Sequence, residues 1–155
     1  MLRIQSAFLF DLDGTLIDSV YQHVLAWHEA LANERIELSV WRIHRKIGMS
    51  GGLFANMLLR ETGLDISPER IERLQQHHAA AYKARIAQVR PLPGARELLT
   101  FLTEPEIPWA IATSGRMETA GPAMETLGVD LSRVPVITRD RVKYAKPDPD
   151  LFLAA

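Results

Sequence analysis

Phe8-Leu-Phe-Asp-Leu-Asp-Gly-Thr-Leu-Ile-Asp18 decides how the rest of the chain is read. The apolar run from Ala7 to Phe10 suits a strand covered on both faces in a mostly parallel sheet. It ends in two carboxylates, Asp11 and Asp13, beside a Gly-Thr turn. In open α/β sheets ligands bind beyond the carboxyl ends of strands, so these acids stand where chemistry is expected. Asp18 and Ser19 read as helix-capping residues, but a cap does not require two acids one residue apart. Like charges held that close need a cation or a shared proton.

Outward from this stretch, Val20, Val24, Trp27 and Leu31 recur at helical spacing and predict a one-sided helix to about Asn33, with His23 on the same face. The segment from Trp41 to Ile47 fits a helix or a turn, and it runs into Gly48-Met-Ser-Gly-Gly52, read as a mobile loop. Leu53, Phe54, Met57 and Leu58 predict an amphipathic helix stopped by Gly63. Ser67-Pro68 then caps a helix carrying Ile71, Leu74, His78 and Tyr82 on one side. Residues 19–88 are therefore expected to form an all-helical insert. The segment Arg90-Pro-Leu-Pro-Gly94 reads as the hinge back to the main domain.

Beyond that hinge, a helix over 95–102 leads to Ile107-Pro-Trp-Ala-Ile-Ala112, a second apolar strand that opens into Thr113-Ser-Gly115. A helical pattern from Thr119 to Leu127, ended by Gly128, leads to the third strand, Val134-Pro-Val-Ile137. Strands alternating with helices predict right-handed crossovers and a parallel sheet. A last helix follows Asp148-Pro149. Three strands leave one side of such a sheet without partners, so the chain is expected to be incomplete.

Composition narrows the classes of function. The 155 residues are 47% hydrophobic, enough for one ordinary domain with a small insert. With 18 basic and 19 acidic side chains there is no basic field for nucleic acid. The absence of cysteine excludes disulfides, thiol catalysis and zinc-thiolate sites. No apolar stretch approaches the roughly 20 residues of a membrane span, and the N-terminal run breaks at Asp11, too soon for a signal-peptide core. The expectation is a cytoplasmic monomer or weak dimer whose partners are small molecules, with neither nucleic acid nor membrane among them. His77-His78, and His23 with His28, lack the spacing of helical zinc ligands and read as packing or surface residues. Trp27, Trp41 and Tyr82 read as packing within the insert, or lining its underside.

Paired acids allow one carboxylate to attack an electrophile while the other donates a proton to the leaving group and later takes one from water. A phosphoryl group suits a carboxylate nucleophile, because the mixed anhydride formed is readily hydrolysed. A magnesium ion would screen the repulsion between acid and phosphate. Thr113, Ser114 and Gly115 follow an apolar strand and precede a helix, so a hydroxyl and free backbone N–H groups make a candidate phosphate cradle; alone, the triplet reads as a helix cap. Lys146, in Lys-Pro-Asp-Pro149, is placed to neutralise phosphate charge, with Lys143 as the competing candidate.

Taken together, Asp11-Leu-Asp-Gly-Thr-Leu-Ile-Asp18, Thr113 after Ala-Ile-Ala, and Lys146-Pro-Asp-Pro149 resemble, in order and spacing, the first three motifs of the haloacid dehalogenase superfamily. The branch it resembles contains phosphoglycolate phosphatase and β-phosphoglucomutase. The resemblance implies a Rossmann-like α/β core (residues 1–18 and 89–155, incomplete at the C-terminus) with an inserted helical cap (19–88). It implies Asp11 as nucleophile and Asp13 as general acid/base. Magnesium would be held by Asp11 and the Asp13 backbone carbonyl, and the phosphoryl group by Thr113 and Lys146. His23, Trp27, Ser50 and Gly51 are the candidates for substrate contact in the cap. The family's fourth motif, an acidic pair that completes the metal site, has no counterpart before Ala155, so the chain alone is expected to be inactive. An acid at position 13 points to phosphate esters rather than dehalogenation. Gly51 stands where mutases tend to carry a basic residue, so a phosphatase is preferred to a sugar-phosphate mutase. If the chain does end at Ala155, a non-catalytic remnant of the fold is the further alternative.

Overall fold

The computed structural model describes residues 6–64 and 67–155; the first five residues of the expected core segment and residues 65–66 of the insert lie outside the described residues. In chain order the elements are β1 (Phe8–Phe10), β2 (Ile17–Asp18), α1 (Val20–Asn33), α2 (Val40–His44), α3 (Gly51–Thr62) and α4 (Pro68–Lys83). They continue with β3 (Arg90–Pro91), α5 (Ala95–Thr103), β4 (Trp109–Ala112), α6 (Met117–Glu125), β5 (Val136–Ile137) and α7 (Asp150–Ala154). The chain divides into two compact units, Met1–Asp18 with Arg90–Ala155, and Ser19–Val89.

The first unit is an α/β sheet with helices between its strands. Three strands pair in the order β1-β4-β5, both pairs parallel, with Phe8 opposite Trp109 and Ile111 opposite Val136. The expectation that β1 is covered on both faces is overturned. Phe8 is 44% and Leu9 41% exposed, whereas all four residues of β4 are buried. The reason is position: β4 lies between two strands, and β1 has β4 as its one strand partner among the described residues. Residues 90–91, at the start of the segment read as the hinge back to the main domain, pair antiparallel with β2, Ile17 opposite Pro91 and Asp18 opposite Arg90.

The second unit is helical. The apolar faces of α1, α3 and α4 meet in one core that includes Val24, Trp27, Leu31, Phe54, Leu58 and Leu74. Gly63 ends α3 with φ of 70°, a left-handed position that glycine adopts without steric cost. The Ser67 hydroxyl accepts the Arg70 N–H at 3.2 Å, so α4 starts as its Ser-Pro signal predicts. Ser19 holds the N-cap position of α1, but its side chain makes no capping bond there. Two further readings change. Gly51 and Gly52 form the first turn of α3 rather than a loop, close to Trp27 and Gln75. Trp41 is 59% exposed, because Ile43 is the buried residue of the short α2 and Trp41 faces outward, with the Arg42 and Arg45 guanidinium groups 5.8 and 5.9 Å from its ring centre. His23 and His78, read as packing or surface residues, pack against each other. Nδ1 of His23 lies 3.1 Å from Nε2 of His78, because each histidine sits on the apolar face of its own helix and those faces meet.

Candidate active site

The turn after β1 positions the two acids. The Leu12 carbonyl accepts the N–H groups of Thr15 (3.2 Å), Leu16 (2.9 Å) and Ile17 (3.2 Å), and the Gly14 N–H donates to the Ile17 carbonyl at 2.8 Å. Closing so tight a loop takes the chain through φ of 77° at Gly14, where a side chain would be strained. Leu12 is fully buried, and Asp11 and Asp13 on either side of it are half-buried. Alternation along an extended backbone explains this: anchoring Leu12 inward turns its neighbours the other way.

Lys146 meets Asp11. Its ammonium forms an ion pair with Oδ1 of Asp11 and donates a second hydrogen bond to the Ala112 carbonyl at 2.9 Å. The lysine side chain is 17% exposed and that of Asp11 36%, so the pair is partly desolvated yet one face of the carboxylate remains reachable. Lys143, the competing candidate, is exposed, with its ammonium 5.0 Å from the ring centre of Tyr144. Because Ala112 ends β4, its carbonyl also ties the lysine to the start of the Thr113 turn.

Thr113 is buried at 1% exposure, and its N–H donates to the Ile137 carbonyl of β5 at 2.9 Å. Its hydroxyl oxygen accepts the Gly115 N–H at 3.0 Å, which leaves the hydroxyl hydrogen to be donated elsewhere. The Gly115 amide is thus engaged within the turn rather than free. A Cβ at Gly115 would stand 3.3 Å from that hydroxyl, a tight contact. The Ser114 hydroxyl is buried without a hydrogen-bond partner among the described residues. A polar group left in that state carries a desolvation cost, which an incoming acceptor would offset.

Asp11, Lys146 and the Thr113 turn therefore come together at the carboxyl ends of β1 and β4. The four candidates of the helical unit form a separate group. Trp27 is 4% exposed and lies between His78 and Phe54, with ring centres at 4.2 and 4.4 Å. His23 stacks on Tyr82 with ring centres 3.9 Å apart and ring planes nearly parallel. Ser50 is 9% exposed and precedes α3, and a Cβ at Gly51 would meet Trp27 at 3.6 Å. His78 was not foreseen as a member of this group, although its place beside Tyr82 on the apolar face of α4 was the available signal. Among the described residues no three or more His, Cys, Asp or Glu side chains stand together as a metal cluster, and no helix is long and apolar enough to cross a membrane.

Comparison with known proteins shows the family. A family model described as haloacid dehalogenase-like hydrolase matches residues 5–155. Hexitol phosphatase A of Escherichia coli K12 is 35% identical over 94% of this chain and 65% of its own length. An N-acetylmuramic acid 6-phosphate phosphatase of Pseudomonas aeruginosa is 31% identical over 96% of this chain and 66% of its own. The chain thus spans just under two thirds of these curated relatives. A crystal structure of a hydrolase from Pseudomonas syringae, 55% identical, superposes with a TM-score of 0.92 over 97% of this chain and 68% of that one.

Proposed function

This chain belongs to the haloacid dehalogenase-like hydrolase family, and from that premise we propose that it carries the reaction site of a phosphatase acting on a small phosphorylated metabolite. The observation that carries the reading is the Asp11–Lys146 pair beside the Thr113 turn: a reachable carboxylate, a fixed cation and a buried hydroxyl with a hydrogen to give. The Asp11 carboxylate attacks phosphorus, the bond to the ester oxygen breaks, and Asp13 donates the proton that the leaving alkoxide takes up. Asp13 then removes a proton from the water that hydrolyses the aspartyl-phosphate, returning free Asp11 and inorganic phosphate. Lys146 and Thr113 stabilise the charge on the equatorial oxygens.

The donor set fits magnesium, which takes one or two carboxylates and fills its remaining positions with water. The Asp11 carboxylate and the Asp13 backbone carbonyl would hold it, and it would supply charge neutralisation for the approaching phosphate. The relatives, named for a hexitol phosphate and a sugar-acid phosphate, support a phosphorylated polyol or sugar as substrate. Position 51 is a glycine turned toward Trp27 and offers no cation for a second phosphate, which favours a phosphatase over a mutase. The Ser19–Val89 unit would serve as the cap, with His23, Trp27 and Ser50 contributing to substrate choice. A cytoplasmic monomer or weak dimer fits this role.

The test is acid quenching of the full-length protein during magnesium-dependent turnover of a radiolabelled hexitol phosphate. A base-labile phosphoryl label on Asp11, absent from Asp11→Asn together with at least about a thousandfold of the rate, is the expected result. Undiminished turnover by Asp11→Asn would overturn the proposal.

A further inference from the structure

α6 begins directly after the Thr113-Ser114-Gly115 turn, and Arg116 at its N-cap makes no side-chain capping bond. The capping group arrives from the loop after β5. The Met117 N–H donates to Oδ2 of Asp140 at 2.7 Å, across 23 residues of sequence. One residue earlier, the Arg139 N–H donates to the Gly115 carbonyl at 3.0 Å. The buried Thr138 places its hydroxyl 3.5 Å from the same Oδ2, and Nη1 of Arg116 stands 3.6 Å from Oδ1. Consecutive residues therefore hold the last residue of the turn and the first N–H of the helix that follows it.

We propose that Asp140 is a positioning residue of the phosphoryl site, latching the Thr113–Gly115 turn to the loop after β5; this rests on the phosphatase reading. A carboxylate in this place acts in two opposed ways. As an acceptor it fixes the turn that presents the Thr113 hydroxyl. As a negative charge at a helix N-terminus it opposes an incoming anion. Asp140→Asn keeps an acceptor oxygen and loses the charge, whereas Asp140→Ala loses both.

The experiment measures the dissociation constant of inorganic phosphate for the unsubstituted protein, Asp140→Asn and Asp140→Ala, together with hydrogen exchange at the Met117 amide. Binding is measured where the unfolding curve of each variant shows it almost wholly folded, because there a modest loss of stability leaves the dissociation constant unmoved. Asp140→Ala is expected to bind phosphate about two- to tenfold more weakly, the span of one hydrogen bond, and to exchange Met117 faster. Asp140→Asn is expected to bind at least as tightly as the unsubstituted protein, with Met117 still protected. Tighter binding by both variants would leave a charge effect alone and overturn the latch. Unchanged constants in both would reduce Asp140 to support of the fold and overturn it equally. If Asp140→Ala does not fold, Asp140→Ser, too short to reach Met117, replaces it in the comparison with Asp140→Asn. Failure of the unsubstituted protein to bind phosphate would overturn the phosphatase reading itself, while Met117 exchange still reports the latch.

Discussion

Two carboxylates, one in each unit, are neutralised by cations and put to different uses. Glu34, at the end of α1, is surrounded by donors from α4: Arg73 at 2.8 and 3.1 Å, Arg70 at 3.6 Å and His77 at 3.9 Å. Its side chain is 13% exposed, and each of its carboxylate oxygens already accepts a hydrogen bond from Arg73. Asp11 has Lys146 and more than twice that exposure. A saturated carboxylate ties helices together; a carboxylate with one partner and an open side keeps the reactivity of an unshared oxygen. The Glu34 group thus supports the fold of the helical unit, and the Asp11 group leaves room for a reaction.

Substitutions sharpen this contrast. The largest effect is at Asp11, where the asparagine variant described above is expected to lose turnover while its unfolding free energy in urea stays within about 0.5 kcal/mol of the unsubstituted protein, as befits a partly exposed side chain. A cooperative loss of stability in Asp11→Asn would erase the distinction drawn here. Next is Lys146→Met, which removes the fixed cation from the phosphoryl oxygens and is expected to lower kcat by roughly a hundredfold. Steady-state kinetics with unchanged kcat would show that Lys146 neutralises Asp11 at rest and nothing more.

Glu34→Gln is expected to do the reverse, costing about 1–2 kcal/mol of stability through weakened charge-assisted bonds while leaving the turnover of the folded protein unchanged. Chemical denaturation alongside active-site titration would separate the two. The smallest effect is its pH dependence. Hydrogen bonding from Arg73 holds the Glu34 carboxyl below the ordinary glutamate range, with the charges of Arg73, Arg70 and His77 adding to it and burial opposing. A lowered folded value means the stabilisation is complete above the unfolded value of about 4.3 and is lost as pH falls through the folded one. The gap between unsubstituted protein and Glu34→Gln should therefore be open at about pH 5 and close below about pH 4. A gap that persisted into acid would remove the carboxylate charge from the account.

Much of the site was legible because its signals are local. Asp11, Asp13 and the Gly14 turn lie within a few residues of one another, and the Thr113-Ser-Gly turn follows its strand directly. Helix periodicity placed α1, α3 and α4, since burial of one face repeats every three to four residues. Latch residues such as Asp140 were not legible, because an aspartate in Thr138-Arg-Asp-Arg141 carries no mark of the helix it caps.

By itself the sequence determined which groups are the candidates for chemistry, where strands end, and that helices alternate with strands, since turns, caps and periodic apolar faces act over a few residues. The tertiary structure decided the rest. It chose Lys146 over Lys143, joining a lysine and an aspartate 135 residues apart. It put β4 rather than β1 at the centre of the sheet, and paired His23 with His78 across 55 residues. Contacts of that range depend on where the chain returns, which packing settles and local pattern does not encode.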